Sequence, residues 1–107
     1  MADIVIAQTT SDDEDQAQAL ARGAVENRLA AGVHIDAPIT AVYRWKGTVV
    51  TAKEWRVSYM TTTDRLQELE AWVAERHPYE VPHWTTLPVT GGSDAYLSWV
   101  AEETARS

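Results

Sequence analysis

A continuous apolar run leading into a capped helix opens this 107-residue chain. A long period-two stretch then folds back at Lys46-Gly47, and a second helix is stopped by prolines before a last strand. Together these predict an α+β fold, a ferredoxin-like βαββαβ arrangement with an antiparallel sheet, helices on one face and an extra C-terminal helix. At this length the chain reads as one domain, residues 1–107.

The elements follow in order. Ile4-Val5-Ile6-Ala7 suits a central strand buried on both faces. Ser11 with Glu14 three residues on reads as a capping box. Ala17, Leu20, Ala21, Ala24, Val25 and Leu29 keep the helical period, predicting a helix from Asp12 to Ala31 with Gly32 as its C′ residue. From Val33 to Trp45 the period is two, and it continues from Val49 to Thr61 beyond the Lys46-Gly47 turn. A two-residue loop would pair Ile39 with Glu54 and mix charge into the apolar face. A three-residue loop, Trp45-Lys46-Gly47, pairs Ala37 with Trp55 and Ile35 with Val57, and it is the expected register. A bulge elsewhere would restore parity for the shorter loop.

Thr62 or Thr63 begins the second helix, with Leu66, Leu69, Trp72 and Val73 as its apolar stripe. His77-Pro78-Tyr79-Glu80-Val81-Pro82 ends it, because each proline stops a helix and pushes its predecessor toward extended backbone. His83 to Val89 reads as a strand, at an edge because Pro88 lacks an N–H. Gly91-Gly92-Ser93 leads into a last helix bearing Leu97, Val100 and Ala101.

Composition excludes several classes of function. No cysteine is present, so disulfides, thiolate metal sites and cysteine nucleophiles are ruled out. The net charge of −7 argues against a nucleic-acid partner, which needs clustered Lys and Arg. Met1-Ala2-Asp3-Ile4 has no basic leader and no long apolar run follows, so neither signal peptide nor membrane span is expected and the chain reads as cytoplasmic. The chain has five Trp and no Phe, and Trp45, Trp55 and Trp84 fall in strand-like segments, which hints at an interface.

The hairpin points to a partner of the same kind. Its strands, each of about 12 residues, reach roughly 40 Å, about twice the first strand. The overhang carries Tyr43, Trp45 and Val49 as an exposed apolar patch beside an open strand edge. A second chain covering both is the economical solution.

Several blocks are more specific than patterning. They are Glu26-Asn27-Arg28-Leu29-Ala30-Ala31 with Val33, Tyr43-Arg44-Trp45-Lys46-Gly47, Glu54, Thr61-Thr62, the His77 to Pro82 segment, and Tyr96-Leu97-Ser98-Trp99. In this order the chain resembles the CutA divalent cation tolerance family. The resemblance implies a tight homotrimer held by strand pairing between long hairpins, a link to copper and other divalent cations, and kinship with PII signalling trimers that bind effectors between subunits. It also implies that Gly32, His34, Met60 and His83 stand where the family usually has Cys, Asn, Lys and Glu.

Candidate cleft or interface residues are Tyr43, Trp45, Glu54, Trp55, His77, Tyr79, Glu80, His83 and Trp84. The resemblance places Glu54 near a subunit boundary, either as a pocket carboxylate or in a salt bridge to Arg44 or Arg56. Aromatic side chains on sheets act chiefly as packing or interface anchors. His34, His77 and His83 are not spaced as a local metal motif. With no thiolate, the available ligands favour Cu(II) or another borderline divalent ion over Cu(I). No catalytic motif is present, and the expected protein is a non-enzymatic, binding or scaffolding homotrimer. A trimeric sensor of a small effector is the first rival, and an enzyme using His77 and Glu80 is the second.

Overall fold

The computed structural model describes residues 3–106. Strand β1 (Ile4–Ser11) leads to helix α1 (Glu14–Glu26), then β2 (Gly32–Ile35), β3 (Ile39–Trp45) and β4 (Thr48–Thr62). A single 3-10 turn (Thr63–Arg65) enters α2 (Leu66–Arg76), followed by β5 (Thr85–Pro88) and α3 (Asp94–Glu103). The antiparallel sheet runs β2-β4-β1-β5, and β3 also pairs with β4. This is the expected ferredoxin-like arrangement, with its second strand broken in two.

The first helix is shorter than its periodicity predicts, and its cap differs. Asp13, not Ser11, is the N-cap: its Oδ1 accepts from the Gln16 N–H at 3.1 Å. Ser11 Oγ instead donates to the Asp13 carbonyl at 3.1 Å. The helix ends at Glu26 because Arg28 takes a left-handed φ of 59°. The Leu29 N–H then reaches back to Ala24 O at 2.9 Å and the Arg28 N–H to Val25 O at 3.1 Å, a Schellman closure. Leu29 and Ala30 turn into the core, and the Ala31 N–H donates to Met60 O at 2.9 Å. Gly32 is therefore the first strand residue, not a helix C′ position.

The sheet has two unlike faces. Ala7, Val57 and Tyr59 point toward α1 and α2 and pack with Leu20, Ala24, Leu69 and Val73 in the main core. The Tyr59 hydroxyl is buried there and donates to Leu20 O at 3.1 Å. The alternate side chains face the other way. On that side α3 covers one end, where Val100 packs with Ile4 and Met60. The expectation that all helices share one face is thus corrected: α3 lies opposite α1 and α2, and the rest of its face carries no helix.

The hairpin register differs from the expected one. Trp45 pairs with Thr48 and Ile39 with Glu54, so the loop is the two-residue Lys46-Gly47. Lys46 (φ 48°) and Gly47 (φ 82°) are both left-handed, as a type I′ turn requires. Yet Ile35 pairs with Val57, as expected from the other register. Both hold because Asp36, Ala37 and Pro38 oppose only Trp55 and Arg56, which adds one residue and reverses parity. Ala37 does not pair with Trp55. Ile35 faces the helices, whereas Ile39, Ala41, Tyr43 and Trp45 share the uncovered face with Glu54.

β1 pairs only with residues 55–62 of β4, so Thr48–Glu54 and β3 project beyond the sheet. Val42 and Val49 are 64% and 60% exposed on this overhang. β5 is four residues long, shorter than the His83–Val89 expected, and it is an edge strand ending at Pro88.

Candidate functional site

The proline segment locks onto the sheet just ahead of the first residue of β5. β5 pairs with β1 only as far as Gln8, which leaves the outward backbone groups beyond it without a strand partner. His77 supplies the missing donor. The Tyr79 N–H donates to His77 Nδ1 at 3.3 Å, which leaves the proton on Nε2, and Nε2–H donates to Thr10 O at 2.7 Å. The imidazole is buried, and the Tyr79 ring meets it edge-on at 4.6 Å between centroids.

From this anchor Tyr79 reaches the hairpin root. Its hydroxyl donates to Glu54 Oε2 at 3.3 Å. Glu54 is only 6% exposed, and among the described residues no cation lies within ion-pair distance of it. Neither Arg44 nor Arg56 pairs with it: Arg56 bonds Asp36 at 3.3 Å. A buried carboxylate normally demands such a partner. The Tyr79 phenol is held well above its ordinary range, first by desolvation and then by the negative charges of Asp12 and Glu54.

The other candidates fall into separate places. Glu80 is exposed and pairs with Lys46 of the hairpin turn at 3.4 Å. His77 spends both ring nitrogens on backbone, so His77 and Glu80 form no acid–base pair within the chain. Trp84 packs against Tyr59 at 6.2 Å on the helix side, and Trp55 also packs on that core. The indole N–H of Trp55 is buried without a hydrogen-bond partner among the described residues. Tyr43 and Trp45 stand 41% and 38% exposed on the overhang. His83 Nε2 lies 2.9 Å from Thr85 Oγ1. Among the described residues no three His, Asp or Glu side chains gather as a metal site.

Sequence reasoning missed Thr10, Asp12, Gln8, Ser58 and Thr85 as neighbours of these groups. Only the strand registers bring them to the same face or edge, and no local spacing signals it.

A ferredoxin-like chain with a projecting hairpin, an uncovered sheet face and a buried carboxylate at the hairpin root defines a small α+β class of proteins. Comparison with known proteins makes this specific. The family described as CutA1 divalent ion tolerance protein matches residues 5–103, and the chain belongs to that family. It is 40% identical over 95 residues to the divalent-cation tolerance protein CutA of Thermus thermophilus, covering 89% of this chain and 92% of that one. It is 35% identical over 100 residues to the chloroplastic protein CutA of Arabidopsis thaliana, but spans only 55% of that longer protein. The CutA structure from Synechococcus elongatus superposes with a TM-score of 0.92 at 37% identity, over 98% of this chain and 93% of that one.

Proposed function

We propose that this chain serves divalent-cation tolerance as a cytoplasmic homotrimer, in a binding or scaffolding role without catalysis. The observation that carries the reading is the overhang. It presents Tyr43 and Trp45 on a sheet face that no helix covers, beside strand edges that lack partners among the described residues. Apolar area of this kind favours burial against a further chain. The same hairpin root holds Glu54 without a cation, so a subunit boundary there also has a charge to satisfy. Copper as Cu(II), or another borderline divalent ion, suits a chain that has imidazole and carboxylate but no thiol.

The absence of catalysis is supported by His77, whose ring nitrogens are both committed to backbone. The effector reading keeps one specific support, the Tyr79–Glu54 pair, which is built like the polar end of a small-molecule cleft. Light scattering on a sizing column tests the assembly: three chain masses at micromolar concentration are expected, and a monodisperse monomer would overturn it. A thermal-shift screen against divalent metals, nucleotides and small acids separates the roles, since whatever binds only the folded state raises its midpoint.

A further inference from the structure

One polar row crosses the uncovered face. His34 stands opposite Ser58, Ser58 opposite Gln8, and Gln8 opposite Thr85. Gln8 Nε2 donates to Ser58 Oγ at 3.1 Å, and His83 Nε2 meets Thr85 Oγ1 at 2.9 Å. The row therefore carries an exposed imidazole at each end, one on the β2 edge and one beside the β5 edge. About three strand spacings, roughly 14 Å, separate the two edges, too far for one ion to bridge within a chain.

Ring assembly removes that separation. In a closed ring of identical copies, each contact joins one surface to a different surface of the next copy. Here the two free edges differ, and their directions match: β2 runs parallel to β1, while β5 runs antiparallel to it. With the ring axis along the strands, the β2 edge of one copy runs antiparallel to the β5 edge of the next. That is the orientation with the straighter hydrogen-bond ladder. A row perpendicular to the strands then meets its neighbour at the same height.

We propose that His34 of one copy and His83 of the next converge at each seam of the homotrimer into a two-imidazole site for a Cu(II)-class divalent cation. The site rests on the trimer reading above and is incomplete in a single chain. Imidazole is the best ligand the chain has for such ions. Thr85 Oγ1 holds Nε2 of His83 and leaves Nδ1 for the metal, the outer-shell arrangement that orients ligating histidines. The other charges on this part of the face, Asp36 and Arg56, are paired with each other at 3.3 Å and largely cancel.

Calorimetry with Cu(II) on the full chain, with light scattering on the same samples, tests this. One Cu(II) per chain is expected. His34→Ala and His83→Ala each remain trimeric and weaken binding by about tenfold or more. The decisive sample is a co-expressed mixture of the two variants. A mixed trimer keeps one seam with both imidazoles, so one tight site returns per mixed trimer, whereas a site within one chain returns none. A native trimer without Cu(II) uptake, unaffected single variants, or mixed trimers without recovery would each overturn the site while leaving the trimer intact. A monomeric native chain would instead bring down the assembly itself.

Discussion

His77 Nε2–H donates to the Thr10 carbonyl across 2.7 Å, so a side chain extends the β1 ladder beyond the first residue of β5. The bond is buried, and its loss leaves a carbonyl that water reaches poorly. His77→Ala should destabilise the fold by about 1–3 kcal/mol. His77→Gln keeps an N–H donor and should recover part of this. Denaturant midpoints measure both, and equal losses would deny the donor role.

The Tyr59 hydroxyl offers a pH readout. Burial pushes its phenol well above the ordinary value of 10. The folded state therefore retains a proton that the unfolded chain releases, and stability conferred below pH 10 is lost as pH rises beyond it. The slope approaches about 1.4 kcal/mol per pH unit for one such group. Unfolding measured from pH 9 to 11.5 should show this decline, to which Tyr79 adds its own share, and Tyr59→Phe should make it shallower. An unchanged slope in the variant would assign the decline elsewhere.

At the hairpin turn both central residues are left-handed, Lys46 at φ 48° and Gly47 at φ 82°. Gly47→Val should cost about 1 kcal/mol or more, and Gly47→Asn less. Lys46→Asn should gain a few tenths of a kcal/mol, since Asn-Gly is the preferred pair in such turns. Its ion pair with Glu80 is solvent-exposed on both sides and offsets little. A stability loss on Lys46→Asn comparable to that of Gly47→Val would contradict the turn geometry.

Where α1 crosses α2, a Cβ on Gly23 would stand 2.5 Å from the Trp72 ring. Arg76 stacks on the same ring at 4.4 Å and resists its displacement. Helix propensity favours Gly23→Ala by up to about 1 kcal/mol, but overpacking costs about 1–3 kcal/mol. A net loss is expected in the native background. In a Trp72→Ala background the same change should become favourable, and a double-mutant cycle on thermal midpoints reads the reversal.

The elements with a clean period were legible in the sequence: the first half of β1, which runs on to Ser11, the stripe of α1, the proline stop after α2, and the entry to α3 after Gly91-Gly92-Ser93, where Ser93 Oγ accepts from the Tyr96 N–H at 3.2 Å. The end of α1 was not, because an arginine and not a glycine takes the left-handed position. The register was misread for an instructive reason. Glu54 beside Ile39 looked like a charge misplaced on an apolar face, but Tyr79, 25 positions away, comes to meet it. Likewise the face chosen by α3 and the alignment of His34 with Thr85 are set by strand pairing over long separations. Local pattern carries neither. The Tyr79–Glu54 pair and the locked His77 were present in the sequence only as residue types in one stiff loop.

The segment Asp36-Ala37-Pro38 has a consequence for engineering the hairpin. Removing one of its three residues would let the strand pair with β4 without a break from Val33 to Trp45, and Tyr43 and Trp45 would stay on the uncovered face, because paired residues share a face and Tyr43 pairs with Val50 and Trp45 with Thr48. Every hairpin residue would keep its identity and its cross-strand partner. The spare residue thus sets the bend and twist with which the hairpin leaves the sheet, a variable that substitution scanning of the hairpin would never sample.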